Sequence, residues 1–265
     1  MAIENKVFTV NGRTALVIGA ANGIGLGISD LYARMGGNVM MSDYDSKRLS
    51  ETSKILKDKY ENVESMQVDI RITDSVAELV RKTEESFGKI DAAFITPSIN
   101  IRKKFLDYTD DEFQRVLDLN LKGNFIAMRE VAKSMVNKKV NGSIVVLSSI
   151  RSMMVEEGQS AYAATKAGIV QLVRGLACEL GKFNVRVNAI APGVVDTPLT
   201  QQIKNDPEWY KAYSERSALN RWASVDEIAG PAVFLTTPAA SFIDGTVIFV
   251  DGGWTAIDGR FEPKL

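Results

Sequence analysis

Short apolar runs alternate with amphipathic helical patterns along almost the whole chain, and this alternation limits the possible folds more than any other feature. Residues 14–18, 39–42, 63–68, 91–95, 143–147, 185–190 and 246–250 read as strands. Several are apolar at nearly every position, the mark of strands covered on both faces rather than one. Helical patterns fill the intervals: 46–59, 73–87 with Val76, Leu79, Val80 and Phe87 as its stripe, 109 to about 138, 162–180, and 225–235. A further helix runs from the glycine-rich turn at 19–25 to about Met35 and is stopped by Gly36-Gly37. Strand–helix–strand repetition of this kind predicts a single-domain, doubly wound Rossmann fold of α/β class spanning residues 1–265, with about seven parallel strands. Residues 196–221, with Pro198 and Pro207, read as a loop with short helices. No repeat, low-complexity stretch or linker divides the chain.

Composition narrows the function classes. A formal net charge of -1 over 265 residues argues against a nucleic-acid surface or a polybasic membrane patch. No run approaches a membrane span, and residues 1–13 hold no signal-type apolar core. The one cysteine, Cys178, cannot form an internal disulfide, and among Leu176, Ala177 and Leu180 it reads as a small buried hydrophobe. A cytoplasmic protein is expected. The chain contains no histidine, so a histidine-dependent triad or metal site is excluded, and proton chemistry must fall to other groups.

Two constellations carry chemistry. In Gly19-Ala20-Ala21-Asn22-Gly23-Ile24-Gly25, between the first strand and first helix, glycines at 19, 23 and 25 permit a tight turn. Backbone can there approach a pyrophosphate seated on the helix N-terminus. Asp43 follows about twenty residues later at the end of the second strand, where an acid accepts both ribose hydroxyls and repels a 2′-phosphate. With no basic residue in the turn, NAD is expected over NADP. The second constellation is Tyr162 and Lys166, one helical turn apart and on one face. Tyrosine, with a pKa of roughly 10, is a poor base at neutral pH. The lysine cation and the positive end of the helix should favour the phenolate, though a Tyr–Lys pair at this spacing also occurs by chance.

Taken together the chain resembles the short-chain dehydrogenase/reductase family over nearly its full length. The resemblance rests on the glycine turn, Asp69-Ile70 after the third strand, Asn120 in Leu119-Asn120-Leu121, Ser149 thirteen positions before Tyr162, and Lys166. It continues through Pro192-Gly193, Val195 and Thr197, which match the segment over the nicotinamide, and Val250-Asp251-Gly252-Gly253. It implies a cofactor site of Gly19, Asn22, Gly23, Ile24, Gly25, Asp43, Asp69, Ile70, Tyr162, Lys166, Pro192, Gly193, Val195 and Thr197, with Asp69 at the adenine. It also implies catalytic Asn120, Ser149, Tyr162 and Lys166 and no metal. In that scheme Tyr162 moves the proton and Ser149 holds the reacting oxygen. Lys166 orients the nicotinamide ribose, and Asn120 holds a water on the proton path. The family also implies a homotetramer built on the two long helices.

Three positions depart from the family. Ile95-Thr96-Pro97-Ser98 stands where Asn-Asn-Ala-Gly is usual, and proline has no N–H, so this turn must be built differently. Ser152 replaces a common glycine, and Ile18 a common threonine. The expected activity is NAD-dependent interconversion of a secondary alcohol and a ketone on a sugar, polyol or sugar acid. The alternatives are a 3-oxoacyl thioester or other ketone reductase, or a non-catalytic nucleotide-binding protein. Trp209, Tyr210 and Tyr213 fall in the expected substrate lid, where they either face the substrate or pack the lid down. Arg102, Lys103, Lys104 and Arg151 either bind a carboxylate at the cleft mouth or form a solvated face.

Overall fold

The computed structural model describes residues 7–257; readings that fall on residues 1–6 and 258–265, including the ends of the expected domain, lie outside the described residues. Seven parallel strands form the sheet: β1 (Thr14–Ile18), β2 (Asn38–Asp43), β3 (Val63–Gln67), β4 (Ala92–Ile95), β5 (Ser143–Leu147), β6 (Arg186–Pro192) and β7 (Val247–Val250). Their order is β3-β2-β1-β4-β5-β6-β7. The order reverses between β1 and β4, which pair with Ala15 opposite Ala92. A crevice opens there at the carboxyl ends of the strands.

Alternate side chains divide between two cores, as a two-residue period requires. Leu16 and Ile18 of β1 enter one core, under α3 (Thr73–Phe87), α5 (Asn124–Asn137) and α6 (Ser160–Leu180). Ala15 and Val17 enter the other, under α1 (Gly23–Arg34), α2 (Ser46–Lys57) and α9 (Val225–Phe234). Helix starts are locally encoded. Asp45 accepts from Arg48 N ahead of α2, and Ser224 with Glu227 closes a capping box ahead of α9.

The long helix expected over 109–138 is three pieces. α4 (Asp110–Leu117), opened by the Thr109–Glu112 capping box, runs into a π-helical stretch, Asp118–Gly123, and then α5. The wider turn carries Asn120 fully into the interior, and the Asn124 amide donates to Asn120 O at 2.9 Å. A second expectation fails at Cys178, which is exposed rather than buried. Val173, Ala177 and Leu180 hold the sheet-facing phase of α6, and Cys178 is rotated off it. On the same helix Ala163 and Val170 are buried within the single chain, while Gln171 is exposed. Beyond β6, α7 (Gln201–Lys204) and α8 (Pro207–Ser214) form the short helices expected over 196–221. No helix among the described residues is long and apolar enough to cross a membrane.

Candidate active site

One cavity of about 600 Å³ lies along the carboxyl ends of the central strands. Every residue expected at the site lines it except Asn120, which is buried behind its wall. The glycine turn occupies one end. Gly19 and Gly23 have φ of 85° and 53°, and a Cβ on Gly25 would lie 2.1 Å from Gly19 O. The turn therefore folds back on itself only with glycine at these positions. Asn22 makes no side-chain cap on α1 and no acid lies in its first turn, so the positive helix end is left for an anion. Asp43 sits beside it, its two oxygens accepting from Ala21 N and Asp45 N at 3.0 Å. Further along, Arg71 pairs with Asp69 at 2.7 Å and lies over the Tyr44 ring at 5.2 Å. This pairing holds the Asp69 carboxyl below its usual range. Glycine turn, free helix end and an acid at the end of β2 together fit a dinucleotide.

The other end gathers Ser149, Tyr162 and Lys166. Ser149 leaves β5 and accepts from Arg151 N at 3.1 Å, while the Ser152 hydroxyl donates to Ser149 O at 2.7 Å. Ser152, in place of the usual glycine, thus ties down the loop that carries Ser149. Tyr162 lies in the first turn of α6. Lys166 Nζ donates to Leu147 O at 2.8 Å and lies 5.5 Å from the centre of the Tyr162 ring. Burial pushes the Tyr162 phenol above its ordinary value, opposed by Ser149, Ser98, Arg151 and Arg102. It pushes the Lys166 ammonium down to about 7. This corrects the expectation of a lysine-depressed phenol. Both groups are desolvated, and Lys166 gives one of its three donors to a strand carbonyl. Asn120 donates to Ile99 O at 2.8 Å and accepts from Ile99 N at 2.9 Å, clamping the residue that follows the substituted turn by both of its backbone groups. Among the described residues no group of acids and cysteine could hold a metal.

A family model described as enoyl-(acyl carrier protein) reductase matches residues 19–255. L-Rhamnose-1-dehydrogenase of Scheffersomyces stipitis is 33% identical over 248 residues, covering 92% of this chain and 96% of the relative. The 2-dehydro-3-deoxy-D-gluconate 5-dehydrogenase of Pseudoalteromonas atlantica is 34% identical over 93% of this chain and 97% of its own. The crystal structure of a Burkholderia cenocepacia gluconate 5-dehydrogenase in complex with NADP and tartrate superposes with a TM-score of 0.90 at 26% identity, covering 95% and 98% of the two chains. The chain belongs to the short-chain dehydrogenase/reductase family. It is an oxidoreductase of alcohol and ketone groups.

Within this dehydrogenase the substituted turn after β4 is held by side-chain bonds to its backbone and neighbours. The Thr96 hydroxyl donates to Ile18 O at 2.9 Å, and the Asn124 amide to Pro97 O at 3.3 Å. A side chain on Gly19 would collide with Thr96 Oγ1 at 2.3 Å, so turn and glycine loop are fitted to each other. Beyond Tyr162 the cavity meets a polar cluster whose full extent sequence reasoning missed. Glu156 accepts from Arg151 at 2.8 Å, from Arg102 at 3.3 Å, and from the Tyr213 hydroxyl and Gln159 amide. Burial, then the bond to Glu156, raises the Tyr213 phenol. Arg102 lies 4.9 Å from the Trp209 ring centre, and Arg151 lies 5.6 Å from that of Trp254. Lys103 pairs with Glu112 instead, outside the cavity lining. Tyr210 stacks on Trp222 at 4.8 Å and does not line the cavity either. Arg102 and Arg151 had been singled out from the sequence. Glu156, Gln159 and Asn100 carry no motif, and only the fold brings them together.

Proposed function

We propose that this dehydrogenase interconverts a secondary alcohol and a ketone on a sugar acid, using NAD in preference to NADP. The observation that carries the substrate class is the charge at the end of the cavity beyond Tyr162. Two lining arginines, Arg102 and Arg151, share one carboxylate, Glu156, leaving a net positive charge in a partly dry cleft. A carboxylate on the substrate would be held there by charge-assisted bonds. The relatives named for gluconate compounds, and the tartrate held by a structural neighbour, support an anionic polyhydroxy ligand. Asp43 supports NAD, since a 2′-phosphate beside it would meet a carboxylate. The NADP in that neighbour is a property of that protein.

A bound nicotinamide supplies the acceptor or donor of hydride. Tyr162 takes the proton from the substrate hydroxyl, or returns it to the alkoxide in the reverse direction. Ser149 donates to the reacting oxygen and fixes it beside the phenol. Lys166 binds ribose hydroxyls and passes the Tyr162 proton onward, as its lowered pKa suits it to do near neutrality. Asn120 is the positioning residue: it holds Ile99, and we assign it the water that links Lys166 to solvent. Residues 196–221 act as the lid. As expected from the sequence, we place the enzyme in the cytoplasm, as one domain, and as a homotetramer. Its outer surface on α4 and α5 presents Phe113 and Phe125, each 43% exposed.

The test is NADH formation from D-gluconate and related hydroxy acids against neutral polyols of equal length. Acids are expected to be favoured, and Arg102→Met to raise KM for the acid about 10- to 100-fold with little change in kcat, from one lost charged bond of roughly 1.5–3 kcal/mol. Equal efficiency with acids and polyols would overturn the assignment.

A further inference from the structure

The polar cluster beyond Tyr162 converges on a single atom. Glu156 Oε2 accepts from Arg151 Nη2 at 2.8 Å and Arg102 Nη1 at 3.3 Å, and also from the Tyr213 hydroxyl and the Gln159 amide. None of these four bonds goes to Oε1. The donors come from three parts of the fold: the segment after β4, the segment between β5 and the start of α6, and the lid helix α8. All four donor residues line the cavity, and Glu156 does not. The carboxylate therefore stands behind a wall made of its own donors.

The Tyr213 hydroxyl gives its one hydrogen to Glu156, so toward the arginines it can only accept. Nη2 of Arg102 and Nη2 of Arg151 each donate to it at 3.4 Å. Each guanidinium thus makes two bonds in the cluster out of five N–H groups, which leaves donors for a ligand. The ledger of charge is short: two cations and one anion, a net charge of one. Lys103 is committed to Glu112 outside the lining. The side chains of Arg151, Arg102 and Glu156 are 9%, 21% and 27% exposed, so water screens their charges only in part.

We propose that Glu156 is a specificity-determining residue that sets the charge of the ligand. From behind the wall it cancels one of two guanidinium charges, which fits the cleft to a monocarboxylate and against a dianion. It touches no ligand and acts through Arg102 and Arg151, so the inference rests on the reading of those two as the carboxylate site. A merely structural Glu156 makes the opposite prediction. Because the four bonds share one oxygen, Glu156→Gln keeps them on its amide oxygen and loses only the charge. Loss of structural support weakens every ligand, whereas loss of the charge alone tightens anions.

The probes are acetate and malonate at pH 8, a monoanion and a dianion, titrated into the NAD-loaded protein so that the pyrophosphate end is filled. Trp209 and Trp254 lie against the two guanidiniums, and their emission reports anions there. Coulomb energy scales with ligand charge, so a change that tightens acetate by some factor tightens malonate by its square. The malonate-to-acetate affinity ratio then moves by that factor. For unit charges about 7 Å apart, across one guanidinium and at an effective dielectric of about 20, the factor is about 10- to 50-fold. Glu156→Gln is expected to tighten acetate, to raise the ratio by that factor, and to lower KM for D-gluconate with kcat nearly unchanged. Tyr213→Phe removes a bond but no charge and should leave the ratio where it was; a shifted ratio there counts against the proposal. Arg102→Met lowers the net charge by one and must lower the ratio, which keeps the test open if Glu156→Gln does not fold. Weaker binding of both probes in Glu156→Gln overturns the proposal. A ratio unmoved by Glu156→Gln, with binding still lost in Arg102→Met, overturns it alone and leaves the carboxylate site standing. Tryptophan emission that responds to neither anion, in the unmodified protein and in Glu156→Gln alike, refutes both.

Discussion

Replacing Lys166 with methionine should stabilise the cofactor-free protein at neutral pH, and the gain should fade in alkali. Burial lowers the ammonium from 10.5 to about 7, while in the unfolded chain it keeps its ordinary value. As pH falls below 10.5 the unfolded chain takes up the proton first, so folding is penalised increasingly until about pH 7, where the penalty is complete. At about 1.4 kcal/mol per pH unit the full penalty is about 5 kcal/mol. Between pH 7 and 9.5 it shrinks by about 3 kcal/mol, allowing for half-protonation at the lower end. Methionine does not titrate and fills nearly the same space. Its loss of the bond to Leu147 O subtracts a roughly constant 1–3 kcal/mol. The pH dependence of the difference thus isolates the burial of the charge. Urea unfolding followed by tryptophan fluorescence at pH 7 and 9.5, for both proteins without cofactor, measures it. A stability difference that is flat with pH, or that widens toward alkali, would refute the reasoning that Lys166 sits desolvated in this wall.

Tyr162→Phe should reduce turnover at least about a hundredfold, the lower range for a lost general acid–base, with NADH affinity nearly unchanged; stopped-assay rates with fluorescence titration check both. The unmodified enzyme should prefer NAD in kcat/KM, and Asp43→Ala should narrow the preference; equal efficiency with both cofactors would remove Asp43 from its role. Light scattering behind a sizing column should show a homo-oligomer at micromolar concentration. Phe125→Glu should dissociate it with the fold intact, whereas a charge at Val170, buried within the single chain, should unfold the protein instead.

The sheet was legible because its central strands are buried on both faces. Runs such as Ala92–Ile95 leave no register in which a polar face could meet water, so a parallel sheet under helices is the consistent solution. Helix starts were legible wherever a side chain closes the first turn, as Asp45 and Thr109 do. The π-helical stretch was not. It depends on Asn120 finding Ile99 some twenty residues away and on Gly123 admitting Ile70, whose side chain would lie 2.9 Å from an added Cβ. Cys178 was misread because an apolar neighbourhood along a helix does not fix its phase; one residue past Ala177 the side chain already leaves the sheet.

At the site, residues whose roles follow from their own backbone or chemistry could be read directly. Gly19 and Gly25 are required by the turn, and Tyr162 and Lys166 share a helix face by spacing alone. The ionisation of that pair could not be read, because spacing reports proximity and not dielectric. The helical turn between Tyr162 and Lys166 suggested attraction, while the fold surrounds both with side chains and sends Lys166 Nζ to Leu147 O. Charge at the far end was legible only as Arg102 and Arg151. That they share Glu156, and that Glu156 also binds Gln159 and through it Asn100, is a chain of donors and acceptors running through two segments. Each link is an ordinary polar residue in sequence. It gains direction only because a carboxylate has no hydrogen to give, and that constraint passes from one amide to the next until it reaches the cavity wall.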